Sequence, residues 1–413
     1  MINIIIGPEL ISPSLYRMWK IFNSHKDQVV KTHFFFFFEK CKTYLSQNSD
    51  DKSAICFTCG DKVMIGNTQK SSCFMSISLE AQIKRLINSG LINIPYVKKF
   101  NNVSMRNPLS DVNGGKMYQD FKNKTDSLFL TYNFSIDGLA IFNSAKGSLR
   151  PILVIINEIP STIRFKNVLL AGLWFGKKVP KMDLYIKTFV EESIKLAEHG
   201  ISLGHNNMHA CCADSVARSC IQNATQFNGY FGCTWCKHPG FNINNVIKYT
   251  YKDHLLCETR KDQETIKLMY EVMHKEKSIQ EIKGPSILLP IPFFSVVNGF
   301  VPDYMHGIFL GVTKHLVTAL FDTRNKSEFH LDSPVVSRII NDRLGKFIFP
   351  HNVGRVPRSL NERALFKASE WKNFLLYVCF PCVKDFLKKH YLDHISLLVG
   401  AIEILTRKSI TID

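Results

Sequence analysis

Three apolar segments follow one another between residues 127 and 176: SLFLTYNFSI, LRPILVIINEI and NVLLAGLWFG. They constrain the fold more than any other feature of the chain. Each is short and rich in β-branched and aromatic residues, and turn-forming residues separate them. That pattern predicts adjacent strands. The next segment, KMDLYIKTFVEESIKLAEHG, changes to a 3.6-residue apolar repeat and ends on Gly200, which predicts a helix. Strands followed by mostly helical sequence imply an α/β core with helical additions.

The N-terminal part has a different texture. Residues 1 to about 32 read as a short helical or irregular lead-in. HFFFFFEKCKTYLSQNSDDKSAICFTCG then carries Cys41 and a C-x-x-C pair, Cys56 and Cys59, closed by Gly60. This is three-quarters of a zinc ribbon. Tetrahedral zinc takes four N or S ligands, and Phe38 stands where the first pair would place its other cysteine. His33 and Cys73 are the candidates for the fourth ligand, and loss of the site is the alternative. SLEAQIKRLINSG (78–90) predicts a helix, and 101–126 reads as a polar linker. The expected organisation is therefore residues 1–75 as lead-in and zinc-ribbon-like module, 76–126 as helix and linker, and 127–413 as the core with its helical C-terminal part.

Charge points to a partner. Fifty-two Lys and Arg against 35 Asp and Glu give +17 over 413 residues. The excess favours a polyanion, nucleic acid ahead of solvated lysines or a membrane surface. No stretch of about 18 apolar residues suggests a membrane span, and no secretory leader is read. The twelve cysteines are then expected as metal ligands or buried thiols rather than disulfides.

Several polar residues are candidates for chemistry, and each has a plain structural alternative. Asp137 precedes Gly138 at the end of a predicted strand, where Asp-Gly is a strong hairpin-turn signal; a metal ligand at a strand end is the other reading. Asp214 is well placed to cap a following helix. Cys233 and Cys236 in FGCTWCKHPG form half a metal knuckle between turn residues. Cys379 and Cys382 lie in LLYVCFPCVKDFL, an apolar helical context, and read as core. Asp303 and His306 share a helix face, which suits metal binding or a mutual hydrogen bond. Glu370 lies near the edge of an apolar helix face, with a solvated glutamate as the plain reading.

Taken together, the blocks IDGLAIFNSAKGSLRPILVIINEIP, RFKNVLLAGLWFGKKVPKMDLYIKTFVEE, ADSVARSCIQNATQFNGYFGCTWCKHPG, VPDYMHGIFLGVTKHL and RSLNERALFKASEWKNFLLY resemble the cut-and-paste DNA transposases of the DDE type, closest to the CACTA (En/Spm-like) group of animal genomes. The resemblance spans roughly residues 30 to 405. It implies a ribonuclease H-like mixed sheet with helical insertions and C-terminal helices, beside the small zinc-ribbon-like module. It makes Asp137, Asp214 and Glu370 the catalytic acids, holding Mg²⁺ or Mn²⁺, with Glu362 as runner-up for the third. Cys233 and Cys236 become zinc ligands, with His306 and Asp303 at the family's D-x-x-H position as their expected partners or as partners of the acid cluster. Cys41, Cys56 and Cys59 would hold a second zinc.

The implied activity is metal-dependent phosphodiester hydrolysis and strand transfer at transposon ends. Arg150, Lys177, Lys178 and Arg218 would neutralise phosphates. Double-stranded DNA, a homo-oligomer and a nuclear location follow from the same likeness. Phe38 and the close of the chain at KSITID, where family members usually run on, depart from it. They suggest a decayed, partial or domesticated copy, so a non-catalytic DNA- or chromatin-binding protein is the alternative. A zinc hydrolase using Cys233, Cys236 and His306 is disfavoured because no H-E-x-x-H or H-x-E…C-x-x-C arrangement is present.

Overall fold

The computed structural model describes residues 32–38, 40–41, 43–46, 53–64, 71–104, 108–125, 127–140, 148–176, 179–201, 205–250, 257–275, 277–322, 327–331, 333–351 and 353–411. The expected lead-in lies outside these residues except for Thr32. The fold is mixed α/β. Its strands are β1 (Thr32–Phe38), β2 (Thr43–Ser46), β3 (Ser53–Ile55), β4 (Lys62–Met64), β5 (Ser71–Ile77), β6 (Phe129–Ile136), β7 (Leu139–Ala140), β8 (Ser148–Ile156), β9 (Leu169–Gly176), β10 (His205–Ala213), β11 (Phe241–Ile243), β12 (Val246–Lys248) and β13 (Phe300–Pro302).

Among the described residues, nine strands make one sheet in the order β13-β10-β6-β8-β9-β5-β1-β2, with β7 pairing β8. The three segments that lead the sequence argument form the centre. β6 and β8 pair antiparallel, as do β8 and β9. Their alternation works as a strand's period of two demands. Leu130, Tyr132, Phe134 and Ile136 all enter one apolar core, together with Ile152, Val154 and Ile156. The helix Lys187–His199 covers that core with Phe189, Val190 and Leu196. It stops at Gly200, whose φ of +67° a residue with a side chain rarely adopts.

β10 was not read from the sequence. HNNMHACCA is polar and weak in β-branched residues. It becomes a strand because β6 offers a parallel partner over its length, from His205↔Phe129 to Ala213↔Ile136, and Cys211 and Ala213 fill the core beneath it. Packing and pairing override the weak local preference.

The chain falls into two compact units. One comprises Met1–Met105 with Asp111–Val301, the other Arg106–Ser110 with Pro302–Asp413. Neither divide falls at the expected 75 or 126. β5 runs across residue 75 and pairs with β1 on one side and β9 on the other, so the cysteine-bearing module is built onto the main sheet. The described residues of the 101–126 stretch, expected as a polar linker, are largely packed. The stretch contains the helix Lys116–Lys122, buries Tyr118 and Phe121 against Phe100 and Phe129, and is pinned by a bidentate Arg164–Asp111 pair at 2.7 and 2.8 Å. The helix Leu79–Asn88 is held at its start by Glu192, whose carboxylate accepts from the Leu79 and Glu80 amides at 2.9 and 3.0 Å. An acid there complements the helix dipole.

The second unit is helical. Its core gathers Phe309, Trp371, Phe374, Leu375, Val378, Cys379 and Cys382. The two cysteines are fully buried, as their apolar context predicts. Met305–Thr313 and Phe374–Val378 are wound as π-helix, and Lys314–Phe321 continues the first as α-helix. Among the described residues, no helix is long and apolar enough to cross a membrane.

One buried acid of the first unit is placed to make stability depend on pH. Glu158 has no exposed surface. Burial pushes its carboxyl up to about 7, against bonds from the Thr131 amide and hydroxyl and the Tyr118 hydroxyl that pull it down. The fold therefore favours the protonated acid. That contribution is complete below the ordinary value of 4.5 and is lost as pH rises through about 7. The melting temperature is expected to fall by several degrees between about pH 5 and pH 8, and Glu158→Gln should flatten this slope. Parallel melting curves for the two proteins across that range would contradict the assignment.

Candidate functional site

The parallel pairing of β6 and β10 brings two of the expected acids together. Their last paired residues are Ile136 and Ala213. Asp137 and Asp214 come next on each chain segment, so both sit at the carboxyl ends of adjacent strands, which lie about 5 Å apart. Ile136 and Ala213 face the core, and one residue further on the chain turns out of it.

Each aspartate also performs the local task that its sequence context suggests. Asp137 is exposed, and its Oδ1 accepts from the Gly138 amide at 2.7 Å. Asp214 caps the helix Ser215–Gln222, its Oδ1 accepting from the Ala217 amide at 2.7 Å. The second carboxylate oxygen of each has no hydrogen-bond partner among the described residues. The turn and cap readings and the ligand reading are thus compatible, because one oxygen suffices for the first.

Cations flank the pair. The Arg150 guanidinium lies against Gly138, so close that a Cβ there would sit 3.0 Å from its Cζ. Its Nε is buried without a partner. Arg218, on the helix that Asp214 caps, stacks on the Trp235 ring at 4.6 Å. Trp235 in turn donates to the Phe300 carbonyl at 2.9 Å. The cysteine knuckle is therefore braced against that helix. Lys177 and Lys178 lie outside the described residues.

Glu370 belongs to the other unit and is only 3% exposed. Its Oε1 accepts from Arg358 Nε at 2.7 Å. Its Oε2 accepts from Arg358 Nη2 at 3.2 Å and from the Lys367 amide at 2.8 Å. Burial opposes ionisation, but these bonds prevail and hold the carboxyl below its usual range. Glu362 is more exposed and meets Arg358 Nη1 at 3.4 Å. Asp303 and His306 make the expected mutual bond, Oδ2 to Nδ1 at 2.6 Å, while Asp303 Oδ1 accepts from the Met305 amide at 2.8 Å.

The metal-capable group among the described residues is Cys41, Cys56 and Cys59, whose sulfurs lie within 4.8 Å of one another. Cys41 lies in the turn between β1 and β2, and the other two in the turn between β3 and β4. The Cys56 carbonyl accepts from the Gly60 amide at 2.8 Å, and Gly60 takes φ +73°. The knuckle is thereby closed. The Thr43 hydroxyl, 3.4 Å from Cys56 Sγ, helps hold that thiol down to about 6, whereas a bond to Cys59 pushes Cys41 up to about 12. The Thr43 contact favours the thiolate form of Cys56, the form in which a cysteine binds metal. The donor set suits zinc. Phe38, where a ribbon would carry another cysteine, instead packs with Leu45, Cys56 and Val63. His33 and Cys73 are described in backbone only.

At the second knuckle Cys233 and Cys236 face one another closely enough for a hydrogen bond that, with burial, raises the Cys233 thiol. Among the described residues no third His, Cys, Asp or Glu joins them in a metal-capable group. The group that organises this turn was missed in the sequence. Arg260, 7% exposed, donates to the carbonyls of Cys233, Cys236, Phe231 and Gln280 at 3.1, 3.2, 3.1 and 3.2 Å. Nothing in its local sequence marks an arginine that will bind backbone 20 or more residues away.

No protein-family model matches the chain, and no curated protein matches it.

Two outcomes follow. In native mass spectra Cys56→Ser should lower the zinc content by one ion per chain; an unchanged zinc content would refute the N-terminal site. Glu370→Ala should remove the acceptor of Arg358 and of the Lys367 amide, lowering stability by about 1.5 kcal/mol because the half-exposed guanidinium can turn to water, read by denaturant unfolding. A loss below about 0.5 kcal/mol would show the pair to be incidental.

Proposed function

We propose that the sheet end bearing Asp137 and Asp214 is the divalent-cation site of a phosphodiester-transferring enzyme of the DDE transposase kind, acting on double-stranded DNA. The observation that carries this reading is the register of β6 and β10, which puts two acids 77 positions apart in sequence side by side at the carboxyl ends of parallel strands. The antiparallel triple β6-β8-β9 with β10 joined parallel to β6 supports a ribonuclease H-like core.

Mg²⁺ or Mn²⁺ held there would activate the attacking oxygen and stabilise the leaving one. The chain's own part is to present hard carboxylate oxygens, which these ions prefer, from the carboxyl ends of two paired interior strands. Arg150 and Arg218 add positive charge beside them, and the net +17 draws in the polyanion. Glu370, the third acid that the resemblance implies, belongs to the other unit, and both its oxygens are engaged there by Arg358 and the Lys367 amide. That same engagement favours a second reading, a DNA- or chromatin-binding protein that has lost the chemistry. A nuclear location and a homo-oligomer belong to both readings. The Cys41, Cys56 and Cys59 group fits a structural zinc beside the catalytic sheet, and Cys233 with Cys236 is proposed to bind a second zinc.

The purified chain should nick or join duplex oligonucleotides carrying the element's terminal repeats when Mg²⁺ or Mn²⁺ is supplied. Asp137→Asn or Asp214→Asn should each lower that rate at least about 100-fold while leaving DNA binding intact. Salt-sensitive binding without metal-dependent cleavage in the unaltered protein selects the second reading. Absence of DNA binding at low salt overturns both.

A further inference from the structure

The helix Pro334–Gly345 runs into a loop that turns one apolar side chain to solvent. In KFIFP (346–350) exposure alternates residue by residue, as in an extended segment. Phe347 and Phe349 pack against the core of the helical unit, with ring centroids 6.4 Å apart. Lys346, Ile348 and Pro350 share the outward side. Ile348 is 96% exposed, more than any other large apolar residue described. A lone exposed apolar residue is ordinary on a protein surface, but two features of its surroundings set this one apart.

The first is bracing. The Phe347 amide donates to the Leu344 carbonyl at 3.2 Å, and the Val353 amide to the Pro350 carbonyl at 2.9 Å. Asn373 Nδ2 donates to the Arg355 carbonyl at 2.6 Å. Asn341 Oδ1 accepts from the Ser359 hydroxyl and the Leu360 amide at 3.0 and 2.8 Å, which ties the exit of the loop to the helix that begins it. The second feature is charge. Residues 343–361 hold Arg343, Lys346, Arg355 and Arg358 and neither Asp nor Glu. Arg343 and Arg358 are committed to Asp385 and Glu370. Lys346 and Arg355 are exposed and make no ion pair among the described residues.

We propose that this loop is a wedge for duplex DNA: Ile348, backed by Pro350, enters between two stacked base pairs while Lys346 and Arg355 hold the flanking phosphates. Proteins that kink a duplex insert apolar side chains between base steps, and Ile and Pro are among those used. The base faces offer Ile348 the water-free contact that it lacks in the free protein. Bracing matters because a yielding loop would bend before the bases unstacked. Pyrimidine–purine steps unstack most easily, so they are the expected points of entry. The inference rests on the DNA-binding part of the function proposed above and not on its chemistry, since it uses neither Asp137 nor Asp214.

The probe is a short duplex with a central TA step, a fluorescent base analogue beside that step and a dye at each end, mixed with the full chain at low salt. Binding should raise the analogue's fluorescence as its base unstacks, and energy transfer between the dyes should rise as the duplex bends. Ile348→Ser should abolish both signals while lowering affinity less than about tenfold, and Ile348→Leu should keep them. The side chain is exposed, so the variants should fold, as judged by circular dichroism. Replacing Lys346 and Arg355 together by serine should lower the salt slope of binding by about 2. Binding by the unaltered chain without unstacking overturns the wedge, as do signals unchanged in Ile348→Ser or a salt slope unchanged in the double variant. Absence of DNA binding overturns it together with the DNA reading. Cleavage without unstacking removes the wedge alone. Unstacking that depends on Ile348, without cleavage, supports the wedge and removes only the chemistry.

Discussion

The parallel contact between β6 and β10 is the constraint on which the rest of the structure depends. Nothing else in the described molecule joins residues 129–136 to 205–213 so directly. A parallel pair needs a crossover, and here the crossover contains β8, β9 and the helix Lys187–His199. The crossover carries the central strands, the cover of the core and the approach to Asp214. Sliding β10 by one residue would expose Cys211 and Ala213 and bury their neighbours, since a strand alternates its faces. The core therefore fixes the register, and the register fixes where the two aspartates stand.

Around that pairing the molecule uses polar residues twice. Asp137 and Asp214 each give one oxygen to the backbone as a turn or cap, and the other has no hydrogen-bond partner among the described residues. Such dual use removes the conflict between structural and chemical readings that the sequence poses. Glu370 differs. Both its oxygens are taken up, and the pair with Arg358 sits at a nearly buried position. A buried carboxylate without that guanidinium would be costly, so its first role is to hold the helical unit together.

The two cysteine knuckles likewise separate in character. Cys41, Cys56 and Cys59 converge from two turns, because β1–β2 and β3–β4 bring their connections together. Cys233 and Cys236 share one turn, which a buried arginine organises through its carbonyls. In the first knuckle the thiols meet one another across strands. In the second, the backbone of the turn is held from behind, and its tryptophan steadies the helix that begins at Asp214.

Much of this was legible in the residues themselves. The strands β6, β8 and β9, the helix ending at Gly200, the burial of Cys379 and Cys382, and the Asp303–His306 bond all follow from period, turn chemistry or spacing, which act over a few residues. The strand β10, the joining of the cysteine module to the main sheet through β5, the packing of 101–126 and the role of Arg260 were not legible. Each depends on partners far away in sequence, and local preference there is weak or contrary. The sequence by itself determined which segments could be strands and which side chains could bind metal. Only the tertiary structure decided that Asp137 and Asp214 are neighbours, because register between distant strands is set by the shared core and not by either strand alone.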